Sequence, residues 1–270
     1  MKFMFLLTAM SLFSPFLFAQ NLVVNDALSP KIQHAEPLFI DLIRDLGARK
    51  GEKEWNIGLG MVDQLRWDKY EALVEYEWAV RDRLGLEIEV PFTFYAPVTP
   101  RMETNRPANR IESLKLAAQW SFWVSPKYRS SLALGYIHQL TLVDIERIGR
   151  DPLLTGNVFN PFLVAAKRLG SHWHSLVYTG PELQQQFAGN RWHSRFAFHG
   201  SVHYMIPGSR NFVGIEANNF WENNDFDLTL RPQMRLAINE HLLVGIAAGI
   251  PVKRENERMS SFIRLIYEPR

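Results

Sequence analysis

The stretch FDLTLRPQMRLAI, residues 226–238, sets Asp227, Arg231, Gln233 and Arg235 at alternate places among Phe226, Leu228, Leu230, Met234 and Leu236. A helix would scatter these charges around its axis, whereas a strand sends alternate side chains to opposite faces. One face of this segment is therefore apolar and the other charged. Such a strand can bury its apolar face in a soluble core, or it can turn that face to lipid and its charges inward. The rest of the chain selects the second arrangement.

The 270 residues are 47% hydrophobic with a mean hydropathy of −0.15. That is too polar for a bundle of membrane helices but ordinary for a barrel, whose strands give lipid only every second residue. Beyond residue 20 no apolar run approaches the roughly 18 residues that a spanning helix needs. A net charge of +2 gives no reason to expect a nucleic-acid partner. With no cysteine, disulfides, thiolate metal sites, a Cys nucleophile and a lipoprotein anchor are all excluded. Residues 1–19, MKFMFLLTAMSLFSPFLFA, read as a secretory signal: Lys2, an apolar core from Phe3 to Phe13, and Ala19 at the cut, with Leu17 a poor fit three places back.

Residues 20–52 read as a periplasmic linker followed by a short helix. Pro37 can open that helix, Leu38, Phe39, Leu42, Ile43 and Leu46 recur at helical spacing, and Gly47 can cap it. The helix is expected to rest on the periplasmic rim, and a plug reaching into the lumen is the alternative. From Trp55 onward the period is two. Glu75, Glu77, Glu87 and Glu89 alternate with Val74, Tyr76, Trp78, Leu86, Ile88 and Val90 in two successive segments. About twelve such segments can be marked through residue 268, the fifth to seventh so weakly that ten is the alternative. The apolar run LLVGIAAGIPV at 242–252 still fits, because its second face is Gly245, Ala247 and Gly249. The fold class is thus all-β, an antiparallel up-and-down transmembrane barrel over residues 53–270.

Connection lengths test this independently. RDRLG, SPKYRS, RLGSH, IPGSRN and NEH are all short and fall on even connections, while the long stretches 95–110 and 141–156 fall on odd ones. Trp55, Trp78, Trp120, Trp173, Tyr204 and Tyr267 then gather at one membrane interface, and Phe94, Trp192, Trp221 and Phe226 at the other. A soluble β-sandwich also has many alternating strands, but segments of ten to twelve residues suit a tilted membrane crossing better.

The segment HAEPLFIDLIRDLGARKGEKEW resembles the motif of the HAEPLID-type outer-membrane proteins of the Bacteroidota, and LRPQMRLAINEHLLVGIAAGIPVKRENERMSSFIRLIYEP resembles their C-terminal end. On that reading the motif's Ile-Asp is interrupted at Phe39-Ile40 before Asp41. The resemblance implies a related barrel in the bacterial outer membrane and carries no activity with it.

The polar face would line a pore. Glu75 should lie opposite Glu89 and Glu77 opposite Glu87, a cluster of like charges that needs cations or water around it. Lys115 and the basic tail of the HAEPL segment are candidate partners, and a hard cation such as Ca²⁺ is conceivable though no calcium-loop spacing supports it. Arg195, Arg231, Arg235 and Arg264 take interior parity elsewhere, as do Asp227, Glu216 and His199, so acidic and basic walls are expected to face each other across the lumen. The function expected is a passive channel for small polar solutes, with a closed or plugged scaffold as the second reading. A third is a lipid hydrolase using His199 and Ser201 with Glu216 or Asn218, but those side chains face the lumen, away from lipid. An enzyme, a resident metal and a cofactor are therefore not expected. Outer-membrane lipids are the expected partners, with a small polar solute in the pore, and the oligomeric state is undetermined.

Overall fold

The computed structural model describes residues 30–98, 106–223, 225–255 and 257–269. The signal at 1–19, the linker to residue 29 and the tip of the loop at 99–105 lie outside the described residues. The strands are β1 (Lys53–Asp63), β2 (Trp67–Arg81), β3 (Leu84–Pro97), β4 (Arg110–Ile111 continued by Ser113–Ser125), β5 (Ser130–Leu142) and β6 (Leu154–Leu169). They continue as β7 (Trp173–Gln186), β8 (Arg191–Met205), β9 (Phe212–Glu222), β10 (Asp225–Ala237), β11 (Leu242–Pro251) and β12 (Met259–Tyr267). Both pieces of β4 pair with β3, so they make one strand interrupted at Glu112. Every strand pairs antiparallel with its chain neighbours, and β1 pairs with β12 as well as β2, which closes twelve strands into a barrel.

The apolar set points outward. Leu59, Leu134, Trp173, Val213, Ile246 and Ile263 are all exposed, between 42% and 55%. The opposite faces are buried and polar, with Glu75, Glu87 and Glu216 at 1% or less. An isolated charge at such burial would be costly unless paired, so the inward face must be satisfied by something inside. Tight connections use left-handed residues, among them Arg83, Arg129 and Asn190, which turn a strand back in two to four residues. Aromatic pairs mark the end that holds the short turns, the start of β1 and the end of β12: Trp55 and Tyr76 lie 4.6 Å apart, and Trp173 and Tyr204 5.2 Å. Trp221 and Phe226, 5.1 Å apart, mark the loop end.

The helix expected at the HAEPL stretch does not form, and the segment does not rest on the rim. Residues 30–52 run through bends and turns inside the barrel, with Ala35, Leu38, Ile40, Ile43 and Leu46 each at 3% exposure or less. A helix would satisfy its own amides. Here the lumen wall supplies acceptors for them, and the apolar side chains are wanted on several sides rather than along one stripe.

Candidate functional site

The filling of the lumen can be built up from the wall. Antiparallel register sets Glu75 against Glu89 and Glu77 against Glu87. The Asn56 amide, one strand over, donates to Glu54 at 3.0 Å, Glu75 at 2.7 Å and Glu77 at 3.1 Å. Three cations enter this acidic patch. Arg264 reaches Glu75 at 2.6 Å from the neighbouring β12. Lys115 reaches Glu89 at 2.7 Å and Glu87 at 3.1 Å from β4, and also pairs with Asp41. Arg44 of the lumen segment reaches Glu54 at 2.5 Å, while its backbone N–H donates to Glu77 at 2.6 Å. The basic tail at Arg49 and Lys50 is not what meets these carboxylates. Oxygens of Asp41, Glu75, Glu87 and Glu89 converge within 4.8 Å, as metal ligands would, but the Lys115 ammonium already pairs with three of the four.

On the far side of the segment, Glu216 is fully buried on β9. It accepts three successive backbone N–H groups, from Leu38 at 2.7 Å, Phe39 at 3.0 Å and Ile40 at 3.0 Å, and a fourth bond from Gln233 at 2.5 Å. Gln233 also accepts from the Leu38 N–H at 2.9 Å. Successive amides converging on a carboxylate form an anion nest, so the wall grips the segment by its backbone. Arg235 pairs with Glu36 at 3.0 Å, the His174 Nδ1 accepts from the Ala35 N–H at 2.7 Å, and the Gln119 amide donates to the carbonyls of Ile43 and Arg44 at 3.1 and 3.0 Å. Arg231 stacks on Phe39, its guanidinium 3.5 Å from the ring centroid, and donates to Asn218 and Ser260.

The remaining polar positions fall outside this grip. Arg195 lies exposed near the loop end, paired with Glu182 at 2.6 Å, and Asp227 is exposed there too. Arg264 belongs to the acidic patch rather than to a wall opposing it. His199 stacks on Tyr178 and meets Phe220 edge to face, and its Nδ1 accepts from the Asn219 N–H at 3.1 Å. The Ser201 hydroxyl is buried with no hydrogen-bond partner, so no base–nucleophile pair forms between these residues. Sequence reasoning missed Glu54, Gln119, His174 and the segment's own Glu36 and Asp41. The motif was the available signal for the last two, since its acids are otherwise unexplained on a segment lying in water.

Cavities remain at both ends. At the loop end one of ≈ 320 Å³ has Leu38, Phe39 and Asp41 as its floor, and a second of ≈ 260 Å³ lies between Glu112, Glu182 and Glu222. At the turn end lie cavities of ≈ 790 and ≈ 310 Å³. The segment separates the two ends and leaves beside it a void of ≈ 20 Å³ among Leu38, Ile40, Arg44 and Glu77.

No curated protein matches the chain by sequence. Among solved structures it is similar to the COG4313 outer membrane channel from Pseudomonas putida F1, at 11% identity and TM-score 0.66, over 85% of this chain and 100% of that one. It is also similar to the KdgM porin (11%, TM-score 0.55, 80% and 99%) and the NanC porin (8%, 0.56, 80% and 100%). At these identities the likeness is one of fold. The family described as HAEPLYID-like matches residues 30–268. The letters of that description fall on His34–Asp41, HAEPLFID, with Phe39 in place of tyrosine. The expected interruption of the motif therefore disappears: Ile40-Asp41 is in register.

Proposed function

For a chain that belongs to the HAEPLYID-like family, we propose the function of an outer-membrane channel for small polar solutes whose lumen is closed by its own N-terminal segment. The observation that carries this reading is the grip itself. Residues 35–44 cross the lumen and are held by Glu216, Glu77, Lys115, Gln119, His174 and Arg235, six side chains from five different strands. A barrel filled merely for stability can be closed by its own wall residues, as small barrels are. Here closure depends on a separate segment entering from the end that carries the short turns, and such a segment can leave. The fold is one that the channels named above also use, which supports the reading without supplying a solute.

The charges bear on passage along the axis. Carboxylates outnumber cations in the lining of the loop-end cavities, and at the turn end Lys31, Arg49, Arg129 and Arg168 line one cavity with Glu52. The second reading, a permanently closed scaffold, is favoured by the apolar packing of Ile40, Ile43 and Leu46 against Ile137, Phe162 and Leu176. Single-channel conductance in a planar bilayer separates the two. The chain from residue 20 onward should stay closed for most of the record, and a chain lacking residues 20–50 should show stable open steps. Silence from both, with the shortened barrel still folded, would establish the scaffold.

A further inference from the structure

We infer that the loop-end vestibule binds small organic cations that carry an aromatic or apolar body, with the lumen segment as the floor of the site. The ≈ 320 Å³ cavity suits a ligand of roughly nine to fifteen non-hydrogen atoms. Its walls include the rings of Phe39, Tyr95 and Phe262, with Leu73 and Pro91 between them. Asp41, Glu71, Glu75, Glu89 and Glu112 also line it, against three cations. Each of those cations already has a carboxylate: Lys69 with Glu71 at 2.6 Å, Lys115 with Glu89 at 2.7 Å, and Arg264 with Glu75 at 2.6 Å. A solute anion would have to displace one of these partners. Glu112, by contrast, has among the described residues only the guanidinium of Arg110 at 3.8 Å, so the described lining offers a spare acid and no spare base.

Two further observations point the same way. Glu112 also lines the ≈ 260 Å³ cavity, where Arg195 is likewise taken up by Glu182 while Glu222 meets His193 at 3.0 Å. The negative character thus extends across the loop-end mouth. The floor already shows the matching chemistry, with the Arg231 guanidinium lying 3.5 Å from the Phe39 ring centroid. Aromatic faces beside carboxylates attract a cation through the ring quadrupole as well as through charge. The ligand would touch Phe39 and Asp41, so occupancy and the position of the segment are coupled.

As a substrate class this rests on the channel reading, but binding can be measured without conduction. Isothermal titration calorimetry on the full chain in detergent should show 2-phenylethylammonium binding and phenylacetate, its anionic counterpart of similar size, not binding. Glu112 sits in the break of β4 at the surface of the mouth, so Glu112→Lys leaves the ladder intact and should weaken the amine about tenfold. Tyr95→Leu should weaken it about threefold. Equal binding of both probes, preference for phenylacetate, or binding of neither overturns the site. Amine binding by a protein that never conducts, even without residues 20–50, overturns the channel and leaves the site standing.

Discussion

Strands β2 and β3 and strands β5 to β7 wear the same apolar coat outside and opposite linings inside. The first pair turns Glu75, Glu77, Glu87 and Glu89 inward, whereas the second group turns in Ala133, Ile137, Phe162, Val164, Leu176 and Tyr178. A water-filled pore has no use for an apolar inner wall. The lining answers the segment instead: Arg44 and Asp41 lie toward the acids and Lys115, while Ile40, Leu42, Ile43 and Leu46 pack on the apolar side. The lumen is thus amphipathic because its occupant is. The occupant's orientation is fixed by both halves at once.

The comparison breaks most severely on the acidic half. Arg44→Leu strands Glu54 and Glu77 in a buried site, and removing one partner of such a pair costs about 3–5 kcal/mol. Hydrogen exchange read by mass spectrometry should show the amides of residues 38–46 losing protection while those of β2 and β3 keep theirs. On the apolar half, Phe162→Ala should cost about 3–5 kcal/mol by the core-truncation scale, and less if the flexible segment settles into the gap. The discriminating outcome is reach. Phe162 stacks on Tyr178 at 4.8 Å as well as supporting the segment, so its loss should loosen β6 and β7 too.

How much of this was legible in the sequence follows from the same two halves. In β2 and β3 polar and apolar residues alternate, so period, register and the carboxylate pairs could all be read from the residues. In β5 to β7 both faces are apolar, one toward lipid and one toward the segment, and the alternation fades where Ile137, Phe162 and Val164 replace polar residues. The strands were countable there only from turns and length. The segment was misread for a related reason. Its apolar residues at three- and four-residue spacing mimic an amphipathic helix, but they are spent on different walls, and no local pattern reveals that Glu216 waits at 178 residues' distance for the Leu38 amide. Gly245 marks the same limit: its small size was visible, but not that a Cβ there would lie 2.3 Å from the Leu38 side chain.

Close approach of that kind gives a milder test. A Cβ on Gly85 would lie 2.6 Å from the Ile43 carbonyl oxygen, and backbone cannot swing aside as a side-chain tip can. Gly85→Val should therefore push the segment away at an overpacking cost of about 1–3 kcal/mol. The outward face of the strand is untouched, so heat-modifiability of the barrel on gels should be unchanged while trypsin gains access to Arg44. An unchanged cleavage pattern would mean that the segment yields elsewhere without leaving.

The smallest expected effect is that of acid, and it acts at the turn end. The His34 Nε2 bonds to the Ser131 hydroxyl of β5 at 2.9 Å, and the ring meets His174 of β7 at 6.3 Å between centroids. Burial first, then His174 and Arg168 of β6, hold its pKa down to about 4, with Asp45 of the segment opposing them. A released segment would return His34 to about 6.5. Above that pH both states are neutral and docking is at full strength. Between 6.5 and 4 the released state binds a proton that the docked state refuses, so docking weakens as pH falls. The partial exposure of His34 screens the effect, and about a fewfold rise in cleavage after Arg44 is expected between pH 7 and pH 5. The cleavage must be read with an acid-tolerant protease or corrected for the enzyme's own pH profile. His34→Gln keeps a hydrogen-bonding partner for Ser131 and cannot titrate, so it should flatten the rise. If the rise persists unchanged in that variant, the acid response belongs to other groups that hold the segment, His174 with its bond from the Ala35 N–H or the carboxylates on the other side of the lumen.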